Sequence, residues 1–187
     1  MTRIYPNLPN ILTSLRLLLA PVLAMLVLAG HHRAALGVFV FAGLSDAADG
    51  YLAKRFDLGS ALGRILDPAA DKLLMLASFL ALSAVGATPV WLTVLVIGRD
   101  AGIVAGAFSA WALDLPLKVA PLPLGKICTA LQITYIALIL LLLLAGRGMP
   151  DFVAIAEVVT AAITLASGLN YAALWLRALF VRAGRTA

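Results

Sequence analysis

Six long apolar stretches follow one another along the chain, at about 8–30, 34–55, 61–84, 88–112, 124–146 and 152–177. Each break between them holds Gly, Pro, His or charge, as in His31-His32-Arg33, Lys54-Arg55-Phe56-Asp57, Gly86 to Pro89, Asp114 to Pro123, and Gly146 to Asp151. Crossing ~30 Å of hydrocarbon takes about 20 mostly apolar residues per helix, so the pattern predicts an all-α integral membrane fold of six transmembrane helices with short loops. The first stretch resembles a signal anchor, but no small-residue cleavage site closes a short apolar core, and it reads as a retained helix. No repeat, low-complexity tract or long linker divides the sequence, so residues 1–187 read as a single membrane domain.

Composition narrows the picture further. Of 187 residues 63% are hydrophobic and 12% charged, about half the charge of a typical soluble domain. Soluble, secreted and disordered classes are thereby excluded. The net charge of +5 has no basic run interleaved with aromatics, which excludes a nucleic-acid patch and suits loops that face anionic lipid. With both ends on the cytoplasmic side, that side carries Arg3, Lys54, Arg55, Arg64, Lys118, Lys126, Arg177, Arg182 and Arg185, against Arg33 and Arg147 on the other. The bias predicts a bacterial inner (cytoplasmic) membrane protein whose segment 46–71 faces the cytoplasm, although a mitochondrial protein trimmed of its leader would look similar. The single cysteine, Cys128, forms no internal disulfide and reads as a small buried hydrophobe.

Five of the nine acidic residues, Asp46, Asp49, Asp57, Asp67 and Asp71, crowd into that one segment. An ionised carboxylate inside a membrane helix costs roughly 2.5–3.5 kcal/mol by insertion scales, so such a cluster needs a chemical reason. Asp46 and Asp49 are three apart and Asp67 and Asp71 four apart, which puts each pair on one helix face. Two helices joined by a short turn then offer four oxygen donors, a set that favours Mg²⁺, Mn²⁺ or Ca²⁺ over Zn²⁺. Two dications balance four carboxylates, the arrangement of two-metal phosphoryl chemistry. The alternative is a proton or ion pathway. Small residues flank the carboxylates: Gly50 and Ala53 on the first helix and Gly63 on the second leave room for a ligand, while Gly59/Gly63 as a pair also suits close helix packing, as do Gly102 and Gly106.

The run Asp46-Ala-Ala-Asp49-Gly50-Tyr-Leu-Ala53-Lys54, eight residues, Gly63, three residues, Asp67, three residues, Asp71 resembles the signature of the CDP-alcohol phosphotransferases, D-x2-D-G-x2-A-R-x8-G-x3-D-x3-D. All its spacings agree over 26 residues, and seven of eight fixed positions match; the departure is Lys54, which keeps the charge of Arg without its bidentate fork. The resemblance implies a six-helix membrane enzyme, usually a homodimer, that moves a substituted phosphate from a CDP-linked donor to an alcohol and releases CMP. It also implies that Asp46, Asp49 and Asp67 hold one divalent ion and that Asp71 helps hold a second and acts as the base. Asp49, Gly50, Ala53, Lys54 and Gly63 would form the CDP pocket.

The opening Asn7-Leu-Pro9-Asn10-Ile-Leu-Thr13-Ser-Leu-Arg16 is similar to that of the phospholipid-making members, which use glycerol-derived acceptors. The segments Ala35 to Asp46, Gly98-Arg99-Asp100, and Lys118 with Pro121, Lys126, Thr129 and Gln132 tilt toward the cardiolipin-forming branch. There CDP-diacylglycerol is the donor and phosphatidylglycerol the acceptor, with phosphatidylglycerophosphate formation from glycerol 3-phosphate the nearest alternative. The likeness covers about residues 7–135, and beyond 140 only composition speaks. Asp100 leaves its helix about 100° from Arg99, so Arg99 is expected to point elsewhere, toward an acceptor phosphate with Lys118 and Lys126 at the entrance, the alternative being that it pairs with a motif aspartate while the lysines snorkel. Arg16 is expected to reach either the donor phosphates or lipid headgroups. His31 and His32 lie in a turn far from the acidic cluster and carry no metal expectation, and Glu157 is a buried carboxylate without an evident partner.

Overall fold

The computed structural model describes residues 8–56, 63–113, 123–146 and 148–183, with side chains described for 15–46, 70–110, 112–113, 123–146 and 148–179. Among the described residues the chain is all-helical: α1 (Leu8–Leu28), α2 (His32–Phe56), α3 (Gly63–Ala84), α4 (Val90–Ala112), α5 (Pro123–Leu144) and α6 (Phe152–Ala183). These are the six stretches that hydropathy delimits, and α6 runs six residues past its expected end at 177. Asp57, Gly59 and Lys118 lie outside the described residues.

Glycine ends two of these helices in the same way. Gly30 (φ 75°) and Gly86 (φ 73°) take the left-handed conformation, and the amides behind them close six-to-one bonds, His31 to Leu26 O and Ala87 to Leu82 O, both 2.9 Å. A side chain at either glycine would strain that turn, and the paired bonds satisfy carbonyls that a helix end leaves open.

By length and composition three stretches, Val90–Ala110, Pro123–Leu144 and Asp151–Leu179, are long and apolar enough to cross a membrane, and Leu15–Leu28 is a shorter apolar helix. The charged motif at the ends of α2 and α3 lowers their mean hydropathy. Side chains are sorted in the membrane sense: Leu18, Met25, Leu44, Val104, Phe108, Ile155 and Leu169 are each at least 60% exposed, while Arg16, Gln132, Thr164 and Ser167 are at most 1% exposed. Lipid accepts the first group, and burial among helices satisfies the second.

The chain divides into two compact units. The first comprises residues 1–89 and 136–149, the second residues 90–135 and 150–187. In the first, α1 packs against both α2 and α3, and each of the three helices presents one stripe. Arg16, Ala20, Leu23 and Val27 on α1 are all buried, as are Ala35, Phe39 and Ala42 on α2, a stripe that Asp46 prolongs, and Met75, Ser78 and Leu82 on α3, a stripe that Asp71 begins. Every stripe has steps of four, three and four residues, the spacing of one helix face. The packing seams thus deliver a charged residue from each helix to one end of the unit.

In the second unit α4 packs against α6. Gly106 lies 3.8 Å, measured from where its Cβ would stand, from the Trp175 ring, an ordinary van der Waals contact, and nothing among the described residues lies within 4 Å of that position at Gly102.

Candidate active site

Arg16, Asp46 and Asp71 meet at the end of the first unit. Nη1 of Arg16 donates to Oδ1 of Asp46 and to Oδ1 of Asp71, both at 2.6 Å. The arginine is 1% exposed while the two carboxylates are 46% and 48% exposed. A cation rooted in the core of α1 therefore holds carboxylates from two other helices, whose open sides face outward. Charge-assisted bonds of this length are the strong kind. The first and last aspartates of the motif are thus brought together, and Arg16 holds both.

Asp49, Gly50, Ala53 and Lys54 continue α2, and Gly63 and Asp67 open α3. Their side-chain surroundings lie outside the described residues. Helical continuity keeps Asp49 three residues beyond Asp46 and Asp67 one turn before Asp71, the registers that place each pair on one face. The donor set at Asp46 and Asp71 is oxygen only, and it already embraces a positive group in Arg16, so the site is chemically fit for hard divalent cations.

A second polar centre lies within the second unit. Arg99 on α4, 6% exposed, donates from Nη1 to Asp100 Oδ1 at 2.7 Å and from Nη2 to Ser167 Oγ of α6 at 2.6 Å. Its guanidinium sits 5.7 Å from the Tyr171 ring centroid, a cation–π contact. The expectation that Asp100 and Arg99 diverge is therefore corrected. The 100° offset separates their Cβ atoms, but a long arginine side chain curls back, and burial makes its own neighbour's carboxylate the nearest compensating charge. Gly125, in the first turn of α5, gives room for this: a Cβ there would stand 3.2 Å from the Tyr171 hydroxyl and 3.4 Å from Arg99 Nη2. Lys126, one residue on, is exposed at the same helix end.

Along α6 the polar groups form a column. Thr160, Thr164 and Ser167 are all at most 3% exposed. Gln132 Nε2 of α5 donates to Thr164 Oγ1 at 3.2 Å and to Cys128 Sγ at 3.3 Å, Glu157 takes a side-chain hydrogen bond from Tyr135, and Trp175 Nε1 donates to Ser109 Oγ at 3.0 Å. Cys128 is buried as expected, though among polar neighbours, and Glu157 gains the partner it lacked in the sequence. Ser167, Tyr171 and Thr164 were not singled out by sequence reasoning. Their signal was present in the recurrence of polar residues at 157, 160, 164, 167 and 171 within an apolar run.

Comparison with known proteins extends the likeness. The sequence profile of the CDP-alcohol phosphatidyltransferases matches residues 6–179, well past the region around 135 where individual motifs end. The chain is 36% identical over 149 residues to a cardiolipin synthase (CMP-forming) / mitochondrial hydrolase fusion protein of Schizosaccharomyces pombe, covering 72% of this chain and 25% of that protein. It is 35% identical over 147 residues to the human cardiolipin synthase (CMP-forming), covering 70% of this chain and 49% of that one, so it spans about half the length of that relative. With a probable phosphatidylglycerophosphate synthase of Mycobacterium tuberculosis it shares 36% identity over 182 residues, 91% of this chain and 82% of the relative. A profile match across nearly the whole chain, on helices that carry every spacing of the acidic motif, makes this protein a member of the CDP-alcohol phosphatidyltransferase family.

Proposed function

We propose that the protein transfers the phosphatidyl group of CDP-diacylglycerol to phosphatidylglycerol, forming cardiolipin and releasing CMP. The observation that carries this reading is the convergence of Asp46 and Asp71, from α2 and α3, on one nitrogen of Arg16 with their open sides outward. The acceptor hydroxyl oxygen attacks the lipid-linked phosphorus, the bond from that phosphorus to the bridging oxygen breaks, and CMP leaves with the electron pair. Asp71 takes the proton from the attacking hydroxyl, and one half-exposed carboxylate there has access both to water and to a bound ligand. Two divalent ions, Mg²⁺ or Mn²⁺, would be held by Asp46, Asp49, Asp67 and Asp71 and would supply neutralisation of the diphosphate and of the departing CMP. Gly50, Ala53, Lys54 and Gly63 line the cytidine and diphosphate pocket, and Arg99, Lys118 and Lys126 bind the acceptor's phosphate.

In this reading all six helices cross a bacterial inner membrane, the acidic motif faces the cytoplasm, and the protein works as a homodimer. A donor whose acyl chains stay in the bilayer while its cytidine enters from water suits a site at that interface.

A second reading has its own support. The match to the probable phosphatidylglycerophosphate synthase covers more of this chain than that to the human cardiolipin synthase, 91% against 70%, and glycerol 3-phosphate also presents a phosphate for Arg99. The chemistry is unchanged and only the acceptor differs. Product analysis decides: purified protein in detergent is given labelled CDP-diacylglycerol with Mg²⁺ or Mn²⁺, and phosphatidylglycerol and glycerol 3-phosphate in parallel. Cardiolipin with CMP is the expected product. Phosphatidylglycerophosphate would move the assignment to the second reading, and absence of metal-dependent CMP release with either acceptor would sink both and favour an ion pathway.

A further inference from the structure

We infer that the first unit carries, at the end opposite the acidic motif, a binding site for an anionic phospholipid, whose phosphate is held by His32, Arg33 and the opening turn of α2. The site does not depend on the reaction proposed for the acidic motif. A cavity of about 660 Å³ lies there, lined by Leu26 of α1, the chain from Gly30 to Ala34, and Leu144 of α5, all within the first unit. Its size falls within the ~300–1,000 Å³ of small-molecule sites. Leu26 is ten residues beyond Arg16 on α1 and His32 fourteen before Asp46 on α2, so about 15 and 21 Å of helix separate the two sites.

One wall of the cavity is suited to an anion. The polar side chains lining it are His31, His32 and Arg33, and no carboxylate accompanies them. The arginine offers a guanidinium fork that matches phosphate oxygens. Nδ1 of His32 is buried with no hydrogen-bond partner among the described residues, and a buried polar atom in that state is stabilised by any ligand oxygen that reaches it. The backbone adds to this. α2 has no acidic residue in its first turn, and His31, whose carbonyl accepts from Ala35 N at 3.0 Å, stands where Ser, Thr, Asp or Asn would cap the leading amides. Those amides and the positive end of the helix dipole face an incoming phosphate. The other wall is apolar. Leu26 and Leu144 form it, and Leu28 and Leu141, close to them in sequence, are 56% and 51% exposed. A free phosphate uses only the polar wall, whereas a phospholipid uses both, burying acyl carbons beside the leucines while its headgroup reaches the basic turn.

The test is hydrogen–deuterium exchange on the purified protein in dodecyl maltoside, read by mass spectrometry of peptides that span residues 30–35. Dioctanoyl phosphatidic acid should slow exchange there. Dioctanoyl phosphatidylcholine, with the same chains and no net charge, and inorganic phosphate, with no chains, should each need about tenfold more to do so. Arg33→Gln should raise the half-saturating concentration of phosphatidic acid about tenfold, the scale of one charge-assisted contact. Ala34→Trp, which fills the cavity and keeps the basic residues, should abolish the protection. Both positions are exposed, so either variant should keep the fold. Equal protection by phosphatidylcholine would overturn recognition of the phosphate charge, and equal protection by inorganic phosphate would overturn the lipid and make the ligand a free anion. Protection that survives both substitutions, or that none of the three probes produces, would overturn the site.

Discussion

Arg99 and Ser167, 68 residues apart in sequence, are joined by a 2.6 Å hydrogen bond that ties α4 to α6. The serine is fully buried and the arginine nearly so, so the bond sets where the guanidinium points. Removing the hydroxyl with Ser167→Ala leaves Nη2 without that partner. The expected result is a loss of about 1 kcal/mol in stability, read by thermal unfolding in detergent, with a several-fold rise in KM for the acceptor and little change for CDP-diacylglycerol. Equal shifts in both KM values would argue that Arg99 has no part in acceptor binding.

Gly125 is the complementary test of the same cradle. Its missing side chain leaves 3.2 Å to the Tyr171 hydroxyl and 3.4 Å to Arg99 Nη2. Both neighbours are side-chain ends, so Gly125→Ala should fold with a small displacement of Arg99. Gly125→Val adds two more carbons and should cost about 1–3 kcal/mol by overpacking. Unfolding temperatures that fall in the order glycine, alanine, valine would bear this out; an unchanged valine variant would mean that the cradle is looser than described.

Asp71 should separate chemistry from folding. Asparagine preserves its shape and an oxygen for Arg16, and the side chain is half exposed, so Asp71→Asn should remain folded by circular dichroism and gel filtration. Turnover should fall by about 10²–10⁴, the range that general-base loss produces. A variant retaining a tenth of the wild-type rate would remove Asp71 from the role of base.

The buried amide of Gln132 gives a prediction about stability alone. Its Nε2 is satisfied by Cys128 and Thr164, while its Oε1 is buried with no hydrogen-bond partner among the described residues. Replacing a half-satisfied polar group by an apolar one of similar length is close to neutral, so Gln132→Met should shift stability by less than about 1 kcal/mol. Thr164→Val removes a partner and leaves the amide in place, and it should be the more harmful of the two. Thermal unfolding that ranks them the other way would contradict this account of the column.

The six helices and the acidic motif were legible because each rests on a repeating local signal: apolar runs of membrane length, and carboxylates three and four apart. Residue 71 could be placed on a helix face from spacing alone. What spacing could not supply was the partner. Arg16 lies 30 residues from Asp46 and 55 from Asp71, and only the packing of α1 between α2 and α3 shows that its buried stripe ends where theirs do. Arg99 failed for the opposite reason. The angular rule for adjacent residues describes where side chains start, and a buried arginine is governed by where its tip finds an anion. The column on α6 escaped because Thr, Ser and Tyr are ordinary residues in apolar helices, and their common face becomes meaningful only when α5 and α4 are seen against it.

The length of α6 has a mechanical consequence. Its 32 residues extend about 48 Å, while the hydrocarbon layer is about 30 Å thick, so the helix must tilt or project, and by how much depends on the bilayer. Two ties bind it to α4, Ser167 to Arg99 and Trp175 to Ser109, and they are eight residues, or about 12 Å, apart along its axis. A rod pinned at two heights carries its neighbour with it when it leans. A lean of α6 would therefore be shared by α4 and would carry Arg99 with it.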